Sequence, residues 1–135
     1  MNHNAAFSSL LALVGFTAAA PMHASAADGK TVYQKNCAAC HMATGQGIPG
    51  AFPALAGNAF VQGPAKDPAT VLLKGRGGMP DFSQNLTDGD IAAVLTYARS
   101  SWGNQAPGVP EGDVAALRTE ISAGVVSAGQ MSNKH

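Results

Sequence analysis

Cysteine is nearly absent from this chain, with two residues in 135, and aromatic side chains make up only 6 % of it. A zinc site needs further Cys, His or carboxylate ligands at suitable spacing, and no second cysteine pair supplies them. Charge is equally scarce. Charged residues are 12 % of the chain, eight basic against eight acidic, and no long Lys/Arg run creates a local field. A nucleic-acid partner is therefore not expected. Runs of β-branched residues are few, which removes the strand-rich context that a thioredoxin-like fold requires. What is plentiful is apolar: 46 % of the residues are hydrophobic, which excludes a disordered polymer and fits one compact domain.

The first 26 residues read as an address rather than as structure. Ala5 to Ala20 is apolar apart from Ser8, Ser9 and Thr17, and Pro21 and then Ala24-Ser25-Ala26 follow it, a small-x-small cleavage pattern. The apolar run falls short of the roughly 18 residues that span a bilayer. Residues 1–26 are thus expected to be a signal peptide, cut after Ala26, leaving an exported, periplasmic protein that does not span the membrane. The expected divisions are 27–121 for the folded domain and 122–135 for a flexible tail.

Cleavage removes His3, His23, Met1 and Met22, and the ligand inventory shrinks to Cys37, Cys40, His41, His135, Met42, Met79 and Met131. Every cysteine sits in Cys37-Ala38-Ala39-Cys40-His41. C-x-x-C alone fits a disulfide or a redox couple as well. With the following histidine in an exported chain it is the attachment signature for c-type haem. The spacing suits that chemistry: thiols three residues apart on one helical turn reach two vinyl groups of one porphyrin, and the adjacent imidazole swings under the iron. His41 would then bind through Nε2, with Nδ1 protonated and hydrogen-bonded to an acceptor.

From about Gly29 to Arg99 the chain resembles the class I cytochromes c, small single-haem electron carriers. Four segments occur in that family's order: Cys37-Ala38-Ala39-Cys40-His41, Pro53-Ala54-Leu55-Ala56-Gly57, Gly77-Gly78-Met79-Pro80, and the helix pattern Asp88 to Ser100. The resemblance implies an all-α fold of three to five helices wrapped around one covalent haem c. It further implies that the Pro53 carbonyl accepts the His41 proton, that Leu55 packs on the haem, and that Gly29 and Tyr33 cross the C-terminal helix. Met79 is the implied sixth ligand, and elimination agrees. Met42 shares a turn with His41 and cannot reach the opposite haem face, while Met131 and His135 sit in a Ser/Gly/Asn-rich tail that is costly to order. Glycines before Met79 let the backbone pass a flat cofactor, and Pro80 restrains it. A methionine packed in the core is the alternative.

Iron held by histidine and methionine favours the reduced state and leaves no vacant position, which implies electron transfer rather than catalysis. The expected partners are redox proteins, with a periplasmic or membrane dehydrogenase as donor and an oxidase or reductase as acceptor. The protein would be a monomer unless it serves as a complex subunit. A haem enzyme or gas-ligand sensor with an open iron site is the alternative, and a haem-free thiol-disulfide protein is the third class.

Local signals place the helices. Asp28 caps the first, Asp67-Pro68 opens a short one from Ala69 to Lys74 that Gly75 ends, and Thr87 with Asp90 approximates a capping box. Ile91, Val94, Leu95 and Ala98 give the next helix one buried stripe. Gly103 to Pro110 reads as a linker, and Asp113, Val114, Leu117 and Ile121 as one more amphipathic helix. Ser100-Ser101-Trp102-Gly103-Asn104 is similar to the ending of cytochrome domains in bacterial dehydrogenase complexes. Tyr97 and Trp102 suit either packing or a hydrogen bond to a haem propionate. Arg76, with Lys66 and Lys74, suits either a docking patch or plain solvent.

Overall fold

The computed structural model describes residues 28–132, so the expected signal peptide at 1–26 and the final residues 133–135 lie outside it. The described residues contain six helical segments and no strand: α1 Gly29–Asn36, α2 Ala38–His41, α3 Ala59–Gln62, α4 Lys66–Lys74, α5 Asp88–Ser100 and α6 Glu111–Ser132. The all-α expectation matches this. The number exceeds three to five because α2 and α3 are single turns of four residues.

Capping chemistry sets most of the starts. The Asp28 carboxylate accepts from the Thr31 hydroxyl at 3.0 Å and from its amide at 3.1 Å, and these two bonds lower its pKa below the ordinary aspartate value. Thr87 and Asp90 form a reciprocal capping box at the start of α5. Asn58 caps α3 by accepting from Phe60 and Val61, a start that the sequence reading did not assign. The helix expected from Ala69 begins earlier, at Lys66. Asp67 lies within its first turn rather than capping it, and Pro68 is tolerated there because the first amides of a helix lack an intrahelical acceptor.

Tyr33, Ile91 and Val114 are fully buried, and Val32, Leu72, Leu73, Val94, Leu95 and Leu117 complete a core to which α1, α4, α5 and α6 all contribute. The stripe expected on α5 is the buried one. Helices α1 and α5 cross at Gly29, where a Cβ would stand 2.1 Å from the Ala93 carbonyl oxygen and 3.0 Å from Tyr97 Cβ. Backbone cannot swing aside as a side chain can. Gly29→Val should therefore destabilise the protein by about 1–3 kcal/mol, the usual cost of overpacking, read as a lower denaturant midpoint for the haem-loaded protein.

Two connections differ from the sequence reading. The stretch 103–110 runs pinned along α5: the Val109 amide donates to Thr96 Oγ1 at 2.9 Å, and the Arg99 guanidinium donates to Pro107 O at 2.9 Å. Arg99 is 3 % exposed and also donates to Val61 O and Gly63 O, so this buried cation is satisfied by carbonyls that bring α3 against α5. Helix α6 was expected to stop at Ile121, with a flexible tail from 122, yet its backbone stays helical to Ser132. No proline interrupts 122–132, and glycines 124 and 129, at roughly 1 kcal/mol each, do not end a run otherwise rich in alanine and serine.

Candidate haem-binding site

His41 ends α2 and is 7 % exposed. Its Nδ1 lies 2.8 Å from the carbonyl oxygen of Pro53. A carbonyl only accepts, so Nδ1 carries the proton and Nε2 keeps its lone pair for a metal. That is the tautomer a metal-binding imidazole needs, fixed by a backbone partner twelve residues away. Turn geometry holds the intervening loop: Ile48 and Phe52 exchange backbone hydrogen bonds at 2.8 Å, and the Leu55 and Ala56 amides both donate to Gly45 O, at 2.7 and 2.9 Å.

Cys37 and Cys40 are free thiols, the first half-buried and the second exposed. Burial pushes the Cys37 thiol up to about 11, with the neighbouring Cys40 adding to the shift. An attacking thiol in a disulfide-exchange protein needs the opposite, a depressed pKa. The redox-couple reading loses ground on this point.

Met79 is held separately from His41, in the loop after α4. Arg76 and Met79 exchange two backbone hydrogen bonds at 3.0 Å, closing a tight turn. Glycine at 75 is required by both backbone and space: φ is +71°, and a Cβ would meet the Met79 carbonyl oxygen at 2.8 Å. The Met79 side chain is half-buried against the edge of the core, as are Leu55 and Phe82.

Sequence reasoning missed the residue that ties the Pro53 segment to the helical body. Asn104 is 3 % exposed; its amide nitrogen donates to Leu55 O at 2.9 Å and Ala98 O at 2.8 Å, and its oxygen accepts from the Gly57 amide at 2.8 Å. Trp102, at φ 55°, lays its ring against Gly45 on the same side of the loop. The Trp-Gly-Asn run after α5 was the available signal. Trp102 and Tyr97 also pack with Tyr33, at ring-centroid separations of 4.9 to 5.5 Å. The Tyr33 hydroxyl donates to Met42 O at 2.7 Å, and burial pushes its pKa up to about 12. Of the three cations weighed as a patch, Lys66 pairs with Glu120 at 3.0 Å and Arg76 lies 5.0 Å over the Phe60 ring. They do not form one free cluster.

These features fit a flat apolar group with a reactive rim. Ile48, Phe52 and Phe60 are 39–41 % exposed, an unusual display of large apolar side chains beside the His41 loop and, under Arg76, beside the Met79 turn. Two free thiols and an imidazole with its Nδ1 paired to Pro53 O lie on the turn from Cys37 to His41 that opens this loop. Comparison with known proteins agrees: a family model described as cytochrome C oxidase, cbb3-type, subunit III, matches residues 24–97, more than half of the chain. The chain belongs to the single-haem cytochrome c family. Haem c, one group held covalently by the domain, is the cofactor of that family.

This cytochrome c is 40 % identical over 94 residues to cytochrome c-552 of Thermus thermophilus, covering 58 % of this chain and 70 % of that one. It is 39 % identical over 106 residues to the cytochrome c subunit of a quinone-dependent alcohol dehydrogenase from Gluconobacter oxydans. That match takes in 67 % of this chain and 22 % of the subunit, so the cytochrome spans about a quarter of the length of the dehydrogenase subunits it resembles. A cbb3-type oxidase subunit of Azospirillum brasilense is 36 % identical over 89 residues, 61 % of this chain and 30 % of that one.

Proposed function

We propose that this cytochrome is an exported one-electron carrier and not an enzyme, with Cys37 and Cys40 bonded to the haem rim, His41 Nε2 as proximal ligand and Met79 Sδ as distal ligand. The observation that carries the reading is the His41 Nδ1 to Pro53 O contact of 2.8 Å, set on the same turn as two free thiols. The haem supplies a one-electron Fe(II)/Fe(III) couple. The protein supplies the rest. Pro53 holds the imidazole in one tautomer, Leu55 offers an apolar contact, and the Arg76–Met79 turn presents the thioether from a different element. Were His41 and Met79 both to hold the iron, oxygen and peroxide would find no open site, which disfavours the enzyme and sensor alternatives.

The partners are other redox proteins: a dehydrogenase as donor and an oxidase or reductase as acceptor. The names of the relatives support that class, since they include dehydrogenase and oxidase cytochrome subunits. No helix among the described residues is long and apolar enough to cross a membrane. Export through residues 1–26 places the working protein in the periplasm. The test is expression in a host competent for cytochrome c maturation, followed by intact-mass and redox measurements on the periplasmic product. The expected product starts at Ala27, carries the mass of one haem through denaturation, and titrates as a single one-electron couple. A haem-free product, or a resting protein that binds carbon monoxide readily when reduced, would overturn the proposal.

A further inference from the structure

Helix α6 lies wholly outside the residues that match the family model, which end at 97. Its buried Val114 and Leu117 fix it to the core, and Ala69 of α4 belongs to the same buried cluster. From that anchored face Arg118 reaches back to the loop that Met79 begins. Its Nε donates to Asp88 Oδ1 at 2.7 Å, one Nη donates to the Ser83 carbonyl, and the other donates to the Leu86 carbonyl at 2.9 Å. Both side chains of the Arg118–Asp88 pair are 26 % exposed, so the charges are partly shielded from water. A planar guanidinium satisfies three acceptors from one rigid fork, a geometry that the single ammonium of lysine does not reproduce.

Apart from Leu86, which is buried in the core, and Phe82, which packs against it, few hydrogen bonds tie the loop to other elements. Behind Met79, the Phe82 amide donates to Leu72 O at 2.7 Å, and the Leu86 amide donates back to Phe82 O at 3.0 Å. Asp81 accepts from the amide and hydroxyl of Ser83. These bonds shape the 81–86 turn, and the Phe82 to Leu72 bond fastens its front end to α4. Arg118 fastens its far end to α6.

We propose that Arg118 is a positioning residue for the distal ligand: by clamping Ser83 and Leu86 it sets how often the Met79 loop opens. The proposal rests on the reading of Met79 as the distal ligand. The loop-opening equilibrium is measurable because an external ligand binds only the open form, and its apparent dissociation constant equals the intrinsic one divided by the open fraction.

The experiment titrates the oxidised, haem-loaded protein with imidazole and compares wild type with R118M, R118K, D88N, M79A and the R118M/M79A pair. R118M keeps the stem and removes all three hydrogen bonds. It should raise apparent imidazole affinity about tenfold or more, the scale expected for losing bonds from a charged donor. R118K should recover part of that change. R118M added to M79A should change nothing, because with the sulfur gone the open fraction no longer limits binding. A purely structural role would lower the urea midpoint of R118M yet leave imidazole affinity unmoved, since the unfolded fraction in buffer stays negligible. Should R118M fail to accumulate, D88N serves in its place, with an affinity rise of roughly threefold expected from weakening one of the contacts. A folded R118M at wild-type affinity overturns the proposal, as does D88N at wild-type affinity where R118M is not obtained. An equal effect of R118M in the M79A background overturns it too. M79A separates the two ideas: if it binds imidazole no better than wild type, the assignment of Met79 as ligand has failed, and the clamp falls with it.

Discussion

Replacing Met79 with alanine should lower the reduction potential by on the order of 0.1–0.3 V, a sizeable part of the roughly 0.8 V over which axial ligands tune haem iron. A thioether is a soft ligand that stabilises Fe(II), so removing Met79 from the proposed ligand set would disfavour reduction and leave the iron open to water or an added ligand. The reduced variant should also bind carbon monoxide, and the wild type should resist it. The backbone makes this a clean test. Met79 holds its turn through its own amide and carbonyl, each paired with Arg76, and neither is altered by shortening the side chain. Because the side chain is only half-buried, the packing loss should amount to about 1–2 kcal/mol, below the usual range for fully buried methionines. Met42 provides the control. It is 44 % exposed at the end of α2, and its structural tie is the carbonyl that accepts from Tyr33, which M42A retains. M42A should leave the potential where it was. A potentiometric titration of both variants decides the matter: a wild-type potential in M79A would mean that another group binds the iron.

Features coded by contiguous residues were legible in the sequence. The Thr87–Asp90 box, the Asp28 cap, the Gly75 stop and the buried stripe of α5 each depend on side chains within a few positions of one another. Gly29 could be singled out through the resemblance, but only the α1–α5 crossing shows why no larger residue fits. What the sequence concealed was contact at long range. Asn104 looks like an ordinary turn residue until Leu55, Gly57 and Ala98 are seen around it, separated from it by up to 49 positions. Arg118 looks like a solvent-facing charge on an amphipathic helix until Ser83 and Leu86 arrive from 35 and 32 positions away. Arg99 likewise gives no local sign that three carbonyls will enclose it. Buried polar side chains are satisfied by partners that the fold assembles, and such partners leave no periodic trace. The end of α6 was misplaced for a different reason: glycines at 124 and 129 resemble a stop signal, but each costs too little to break a helix by itself.

Exchanging both Cys37 and Cys40 for alanine should abolish covalent haem attachment altogether, so that acid and organic solvent extract every haem from whatever pigment remains. How much haem remains depends on what else holds the cofactor. On the proposed ligation, the iron bonds from His41 and Met79 and the apolar contact from Leu55 would survive the double exchange, so some haem should still bind, but reversibly. The helical body should survive as well. Tyr33, Ile91 and Val114 are fully buried in a core that Cys37 borders as a half-buried neighbour, while Cys40 is exposed. Circular dichroism should therefore show most of the helix retained while haem stain on a denaturing gel disappears. The single variants are more informative still. C40A and C37A each leave one thiol, and one thioether is enough to keep haem on the chain through denaturation, with the second vinyl intact and the visible absorption of the reduced form moved to longer wavelength by the extended conjugation. Equal, wild-type spectra in both single variants would show that these sulfurs are not bonded to the porphyrin. A double variant that keeps its haem through acid extraction would lead to the same conclusion, and the motif around His41 would then need another explanation.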